Sequence, residues 1–218
     1  MELRSPGWSE KGVYVVANLK LRRSQKITVA LGQRGEREGG SGGSFLTLET
    51  PEGPKPLLIA GGPACGDASK DFCRGQLGQA GGDNNIPGSS GVQEYFENDH
   101  AKIYCAGAGF VTGPHVTNLD EKYIPPGSYS EGLVGGKRYD NVVFRRGEGG
   151  FGGGGVCSMR SNGKYYYGAG GGFTGGAHRR NGDEMIGGGG GSFSSVPNAV
   201  FAHHGEGKGK CTIKLLSD

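Results

Sequence analysis

GGFGGGGVCSM, residues 149–159, decides how this chain is to be read. Glycine has no side chain to bury, so the stretch by itself reads as a flexible linker. Linkers are padded with serine, however, and this one carries a lone Phe151, then Val156 and Cys157. The neighbourhood repeats the pattern. From Gly147 to Gly191, 20 of 45 residues are glycine, in the blocks GEGGFGGGG, GAGGGFTGG and IGGGGG, and Tyr165 to Tyr167, Phe173, Ile186 and then Phe193 punctuate them. No α-helix tolerates this, since each interior glycine costs about 1 kcal/mol relative to Ala. Isolated large apolar groups that interrupt the glycine blocks suit packing rather than slack.

A bundle of polyproline-II-like glycine helices would use such material. Each has three residues per turn and no internal hydrogen bonds, so its N–H and C=O groups point outward and can bond to neighbouring helices. Close approach requires that Cβ be absent at the contacts, with Cα–H to carbonyl contacts adding a weaker attraction. Ordering glycine is entropically expensive, so nearly all backbone groups must find partners and the ends must be pinned. Phe151 and Phe173 are the expected pins, and Gly153 and Gly171 the expected contact positions. Cys65, Cys73, Cys105 and Cys157 are expected structural cysteines; CGDASKDFC, from Cys65 to Cys73, is a loop that a disulfide closes comfortably. Five cysteines leave one thiol free or paired with another chain.

The glycine-poor segments read as β. VYVVANL (13–19), KITVALG (26–32) and SFLTLET (44–50) are short and rich in β-branched residues. In the second, Ile27, Val29 and Leu31 share one face and Thr28 and Ala30 the other, the pattern of a half-buried strand. PKPLLIAGG (54–62) has an aliphatic run without alternation, which suggests burial on both faces. KCTIKLL (210–216) alternates Cys211, Ile213 and Leu215 against Thr212 and Lys214, and is expected to return to the sheet begun by the early strands. Val92 to Phe110 is expected to hold a helical turn and a short strand. The domain expectation is strands over 1–60, a glycine-rich region over 61–200 with its bundle at about 147–191, and a closing strand over 201–218.

Composition excludes several classes. Gly is 48 of 218 residues, but no Gly-X-Y register persists, which removes collagen. A net charge of +3 from 24 basic and 21 acidic side chains gives no electrostatic reason to bind nucleic acid or an anionic membrane. No run of about 18 apolar residues exists to span a bilayer as a helix. The first residues, MELRSPGWSEKG, contain no apolar signal core, which fits either a cytosolic chain or an internal piece of a longer precursor. Gly147 to Gly152 fits G-x-G-x-x-G literally, but it opens no helix whose N-terminus could hold a pyrophosphate. His100, His115, His178, His203 and His204 stand in no nucleophile, carboxylate or zinc-finger pattern. No enzyme, cofactor or metal site is expected. Arg145, Arg146, Arg179 and Arg180 beside glycine and tyrosine resemble RNA-binding RGG tracts, against which stand the acids Glu148, Asp183 and Glu184. The same arginines suit a basic rim that meets an acidic partner through bidentate contacts, or a set of solvated charges.

Seven phrases occur in a fixed order: VALGQRGE (29–36), GGSGGSFL (39–46), PLLIAGG (56–62), EGLVGG (131–136), GGFGGGGVC (149–157), GAGGGFTGG (168–176) and HGEGKGKCTIKL (204–215). In this order the chain resembles the TNF-like and glycine-rich extracellular region of anaplastic lymphoma kinase and leukocyte tyrosine kinase, from about Val13 to Leu216. The resemblance implies a mainly β fold, a partial TNF-like β-sandwich with an inserted bundle of glycine-rich polyproline-II helices. It implies a non-catalytic, extracellular, ligand-binding module for small helical cytokines. Lys137, Arg138 and Tyr139 stand where the family carries the cysteine after its EGxxGG phrase, so the family's bridge to Cys157 lacks its partner here; Cys105 is one candidate to replace it, and the connectivity stays open. The EGF-like tail, transmembrane helix and kinase of those receptors have no counterpart here, and the alternative expectation is a secreted glycine-rich protein that assembles into an extracellular coat or fibre. Either way the expected partner is a protein ligand or a neighbouring subunit, not nucleic acid, with no insertion of this chain into a membrane.

Overall fold

The computed structural model describes the chain apart from residues 7–10, 38, 65–70, 83, 85, 87, 92–104, 115–122, 139–146, 157, 160–164, 182–183, 205–206 and 217–218. Among the described residues, the first sixty positions hold β1 (Glu2–Arg4), β2 (Gly12–Val16), β3 (Ile27–Ala30), β4 (Ser44–Leu48) and β5 (Lys55–Ala60). Past Gly61 the strands shorten to β6 (Tyr123–Ile124), β7 (Lys137–Arg138), β8 (Ser158–Met159), β9 (Tyr165–Tyr166), β10 (His178–Asn181), β11 (Glu184–Gly187) and β12 (Phe193–Ser194). Two more, β13 (Val200–His204) and β14 (Lys210–Thr212), close the chain. Helix among the described residues is limited to one 3-10 turn, Asp71–Cys73, so the protein is mainly β.

Two antiparallel sheets form a sandwich. The first runs β13-β2-β1-β14, so the end of the chain lies beside its beginning, with Cys211 opposite Leu3. The second runs β12-β5-β4-β3. Leu3, Val13 and Val15 of the first meet Leu46, Leu57 and Leu58 of the second in one buried apolar cluster. A bulge explains the unalternated aliphatics of β5. Pairing passes from Leu46 opposite Leu58 to Thr47 opposite Pro56, leaving Leu57 as the extra residue. Leu57 and Leu58 therefore both enter the sandwich core, while Ile59 joins Phe45 on the opposite face of the sheet.

That opposite face is covered by aromatic rings. Phe110, Tyr129, Phe151, Phe173 and Phe193, all half-buried, pack against Phe45, Ile59 and Leu133. Phe173 stacks on Phe193 with centroids 4.6 Å apart and on Phe110 at 6.4 Å, and Phe110 meets Tyr129 at 5.0 Å. Such offset contacts add to area burial by about 0.5–1.5 kcal/mol per pair.

Behind the rings lies a layer built from backbone. Residues 39–43, 61–63, 105–109, 149–156, 168–177 and 187–192 are buried except for Gly149, Phe151 and Phe173, which are half-buried. Their amides donate to carbonyls far away in sequence: Gly40 to Gly155 at 2.9 Å, Gly155 to Ala169 at 2.8 Å, Ala169 to Cys105 at 2.7 Å, Gly170 to Gly188 at 2.9 Å, Gly190 to Gly62 at 2.8 Å and Gly62 to Gly171 at 2.8 Å. This bonding extends beyond 147–191 to the early glycines of residues 39–43 and 61–63. A buried amide left unpaired costs about 1–3 kcal/mol, so a glycine layer is stable only when its backbone is paired in this way. Buried polar side chains complete the pairing. Ser44 Oγ accepts from the Gly32 amide at 2.9 Å, Ser192 Oγ from Gly61 at 2.9 Å and Thr174 Oγ1 from Gly88 at 3.0 Å, while Asn84 Nδ2 donates to the Gly175 carbonyl at 3.0 Å.

Of the segment from Val92 to Phe110, where a helical turn and strand are expected, residues 92–104 lie outside the described part. Cys105 to Phe110 forms no strand; its backbone belongs to the glycine layer.

Candidate partner-binding surface

The arginine pair Arg145 and Arg146 lies outside the described residues. Arg179 and Arg180 are in β10, which pairs antiparallel with β11 in the sheet β10-β11-β9-β8 and places Arg179 opposite Ile186. Arg179 is exposed, and its guanidinium carbon sits 5.6 Å from the ring centroid of Phe72. Phe72 packs on Ala64, Cys73 and Ile186, so the cation covers the outer side of a small apolar cluster. A cation over an aromatic face is worth roughly 0.5–1 kcal/mol at an exposed site, and it leaves the in-plane N–H donors free to meet an acidic group.

His178 opens β10 on its buried side. Its Nε2 lies 2.8 Å from the Tyr167 carbonyl, which requires Nε2 to carry the proton and donate. Nδ1 finds no partner among the described residues, and burial pushes the pKa down to about 4 although the carbonyl bond works in the opposite direction. The other described histidines also face carbonyl oxygens: His203 Nε2 is 2.9 Å from Gly75 O and His204 Nε2 is 2.7 Å from Ser5 O. Each therefore ties a strand to a loop. No group of three His, Cys, Asp or Glu suited to a metal occurs among the described residues, and no described helix is long and apolar enough to cross a membrane.

The residues expected as pins and contacts are placed as follows. Phe151 and Phe173 pack against the aromatic cluster on the second sheet. Gly153 has φ +83°, and a Cβ built there would lie 2.9 Å from that of Ala108. A Cβ on Gly171 would meet the Gly152 carbonyl oxygen and come within 2.7 Å of the Gly153 carbonyl carbon. Cys73 and Cys105 are buried. The bridges expected for them involve Cys65 and Cys157, which lie outside the described residues, and no disulfide joins two described cysteines.

Two clefts lie where the sequence gives no hint of a site. One, of about 420 Å³, lies between residues 18–21 and Ser195 to Asn198, with Leu57 beside it. The other, of about 390 Å³, lies between Leu31 to Arg34 and Lys208 to Gly209. A scan against protein-family models finds no match to the chain, and a search of curated proteins finds none either.

Proposed function

We propose that the chain is a non-catalytic, extracellular protein-binding module resembling the ligand-binding region of a receptor tyrosine kinase ectodomain. Its buried glycine segments are polyproline-II-like rods, bundled by lateral hydrogen bonds and inserted into a TNF-like sandwich. The observation that carries the reading is where the ordered phrases meet. Gly42 of the second donates to Gln33 of the first, Gly43 to Gly152 of the fifth, Gly62 of the third to Gly171 of the sixth, and Gly136 of the fourth to Gly154 of the fifth, all at 2.8–2.9 Å. Phrases that are weak singly are thus parts of one bonded layer, which supports a common origin for the series. The candidate ligand-contacting cations are Arg145, Arg146, Arg179 and Arg180. Oxidised protein assayed against secreted small helical cytokines of the same organism is expected to bind one at micromolar concentration or below; no binding overturns the reading.

A secreted coat or fibre subunit is the second reading, favoured by the edges of β3 and β14, which are unpaired among the described residues. Size-exclusion chromatography separates the two. Concentration-dependent assembly supports the subunit, and a monomer at high concentration removes it.

A further inference from the structure

The edge strand β3 carries unspent bonding capacity. In an antiparallel ladder, alternate residues point their N–H and C=O toward the partner strand. The Lys26 carbonyl accepts from the Glu49 amide at 2.9 Å, and the Gly32 amide donates to Ser44 Oγ at 2.9 Å, so the even-numbered residues face β4. Ile27, Val29 and Leu31 therefore present their backbone groups outward, on the free edge of the sheet. The side chains of these residues also share a face. Ile27 packs against the sandwich core, whereas Val29 and Leu31 are each 38% exposed. Across the opening, β14 repeats the pattern. Cys211 packs against the core, and Ile213, two residues on, is 50% exposed. The two edges converge where a Cβ on Gly209 would come within 2.6 Å of the Gly32 carbonyl oxygen. Among the described residues the sandwich thus has an open mouth, with an unpaired strand edge on one side and apolar side chains inside.

Charge states what would close it. Lys26 lies at one end of β3, and Lys208 lines the cleft beyond its other end; among the described residues neither makes an ion pair. Arg34 lines the cleft beside Lys208. We propose that β3 receives an added strand from a partner protein: an extended acidic segment in which apolar residues alternate with Asp or Glu. Its backbone pairs with Val29 and Leu31, its apolar side chains fill the mouth, and its carboxylates meet the lysines. The inference rests on the reading of the chain as a binding module and deepens it by naming a surface built on β3, and it is tested separately from cytokine binding.

Three labelled nonapeptides serve as probes: alternating Val and Glu, alternating Val and Lys, and the Val-Glu peptide N-methylated at alternate residues. Fluorescence anisotropy is expected to show the Val-Glu peptide binding at least tenfold more tightly than the other two. Hydrogen exchange is expected to slow at the Val29 and Leu31 amides when it binds. Lys208→Glu should weaken binding about tenfold. Val29→Pro, which removes an outward donor and no β4 bond, should abolish it. The proposal is overturned by equal binding of the N-methylated peptide, by binding without protection of Val29 and Leu31, by no binding at millimolar peptide, or by a dimer of this chain that already buries those residues.

Discussion

The hydroxyl of Tyr129 lies 2.8 Å from Oγ1 of Thr47, joining a loop of the glycine region to the face of the second sheet across 82 residues of sequence. Thr47 is fully buried, so its hydroxyl has no access to water if Tyr129 is lost. Tyr129→Phe keeps the ring against Phe45 and Phe110 and removes only the bond. It should destabilise by about 1–2 kcal/mol, the cost of a buried unpaired hydroxyl. Urea denaturation checks this, and an unchanged midpoint would show that the sheet and the loop are not coupled through this pair.

Phe173 sits in the middle of the aromatic row, between Phe110 and Phe193. A fully buried Phe→Ala change costs about 3–5 kcal/mol, and the half-exposure of this ring lowers the expectation to roughly 2–3 kcal/mol. Phe151→Ala should fall in the same range. Both are read from thermal or urea melts, and a loss below about 0.5 kcal/mol would mean that the rings pin nothing.

Glycine positions divide sharply. Gly171→Ala directs a methyl group at the backbone of Gly152 and Gly153, which has no side chain to swing aside. A cost of about 3 kcal/mol or more is expected, at the upper end of overpacking. Gly78 has nothing within 4 Å of a built Cβ and no positive φ, so Gly78→Ala should be neutral or stabilising by up to about 1 kcal/mol. Equal effects at the two sites, measured by denaturation, would contradict a layer held by close backbone contact.

Acid should loosen the β10 region through His178. Its folded pKa of about 4 lies below the ordinary 6.5, so the unfolded chain binds the proton more readily. The stability from neutral His178 is fully present above pH 6.5 and falls away as pH drops toward 4. The slope is about 1.4 kcal/mol per pH unit, roughly 2 kcal/mol between pH 6.5 and 5. Urea midpoints at pH 7.5 and 5 should separate by this amount in the native protein and by less in His178→Gln. Parallel behaviour of the two proteins would show that another group controls the acid response.

Much of the sandwich was legible because side-chain periodicity survives in short strands. β3, β4 and β5 fall within KITVALG, SFLTLET and PKPLLIAGG, and the split of Ile27 from Ala30 between two faces follows the alternation. β1 was not legible. Glu2–Arg4 is too short to show a period and is held by β2 on one side and β14 on the other. The bulge at Leu57 was hidden for a related reason, since an unalternated aliphatic run reads the same with or without an extra residue. The glycine layer was legible as material but not as a map. The amide of Gly62 carries no sign that its acceptor is Gly171, because pairing is chosen by the rings and strands that set the segments in place. The open mouth at β3 was invisible for the same reason: it arises from the meeting of Gly32 with Gly209, far apart in the chain.

Glycine backbone in this protein is ordered by bonds between distant segments. Native-state hydrogen exchange at the Gly62, Gly155, Gly170 and Gly190 amides tests this directly, because these four donate only across the layer, to Gly171, Ala169, Gly188 and Gly62. Protection close to that of the Leu46 and Leu58 amides of the sheet is the predicted result, since buried cross-chain bonds open only in global or near-global unfolding. Exchange of these glycines at unstructured-peptide rates, with the sheet amides still protected, would show that these bonds do not order the layer.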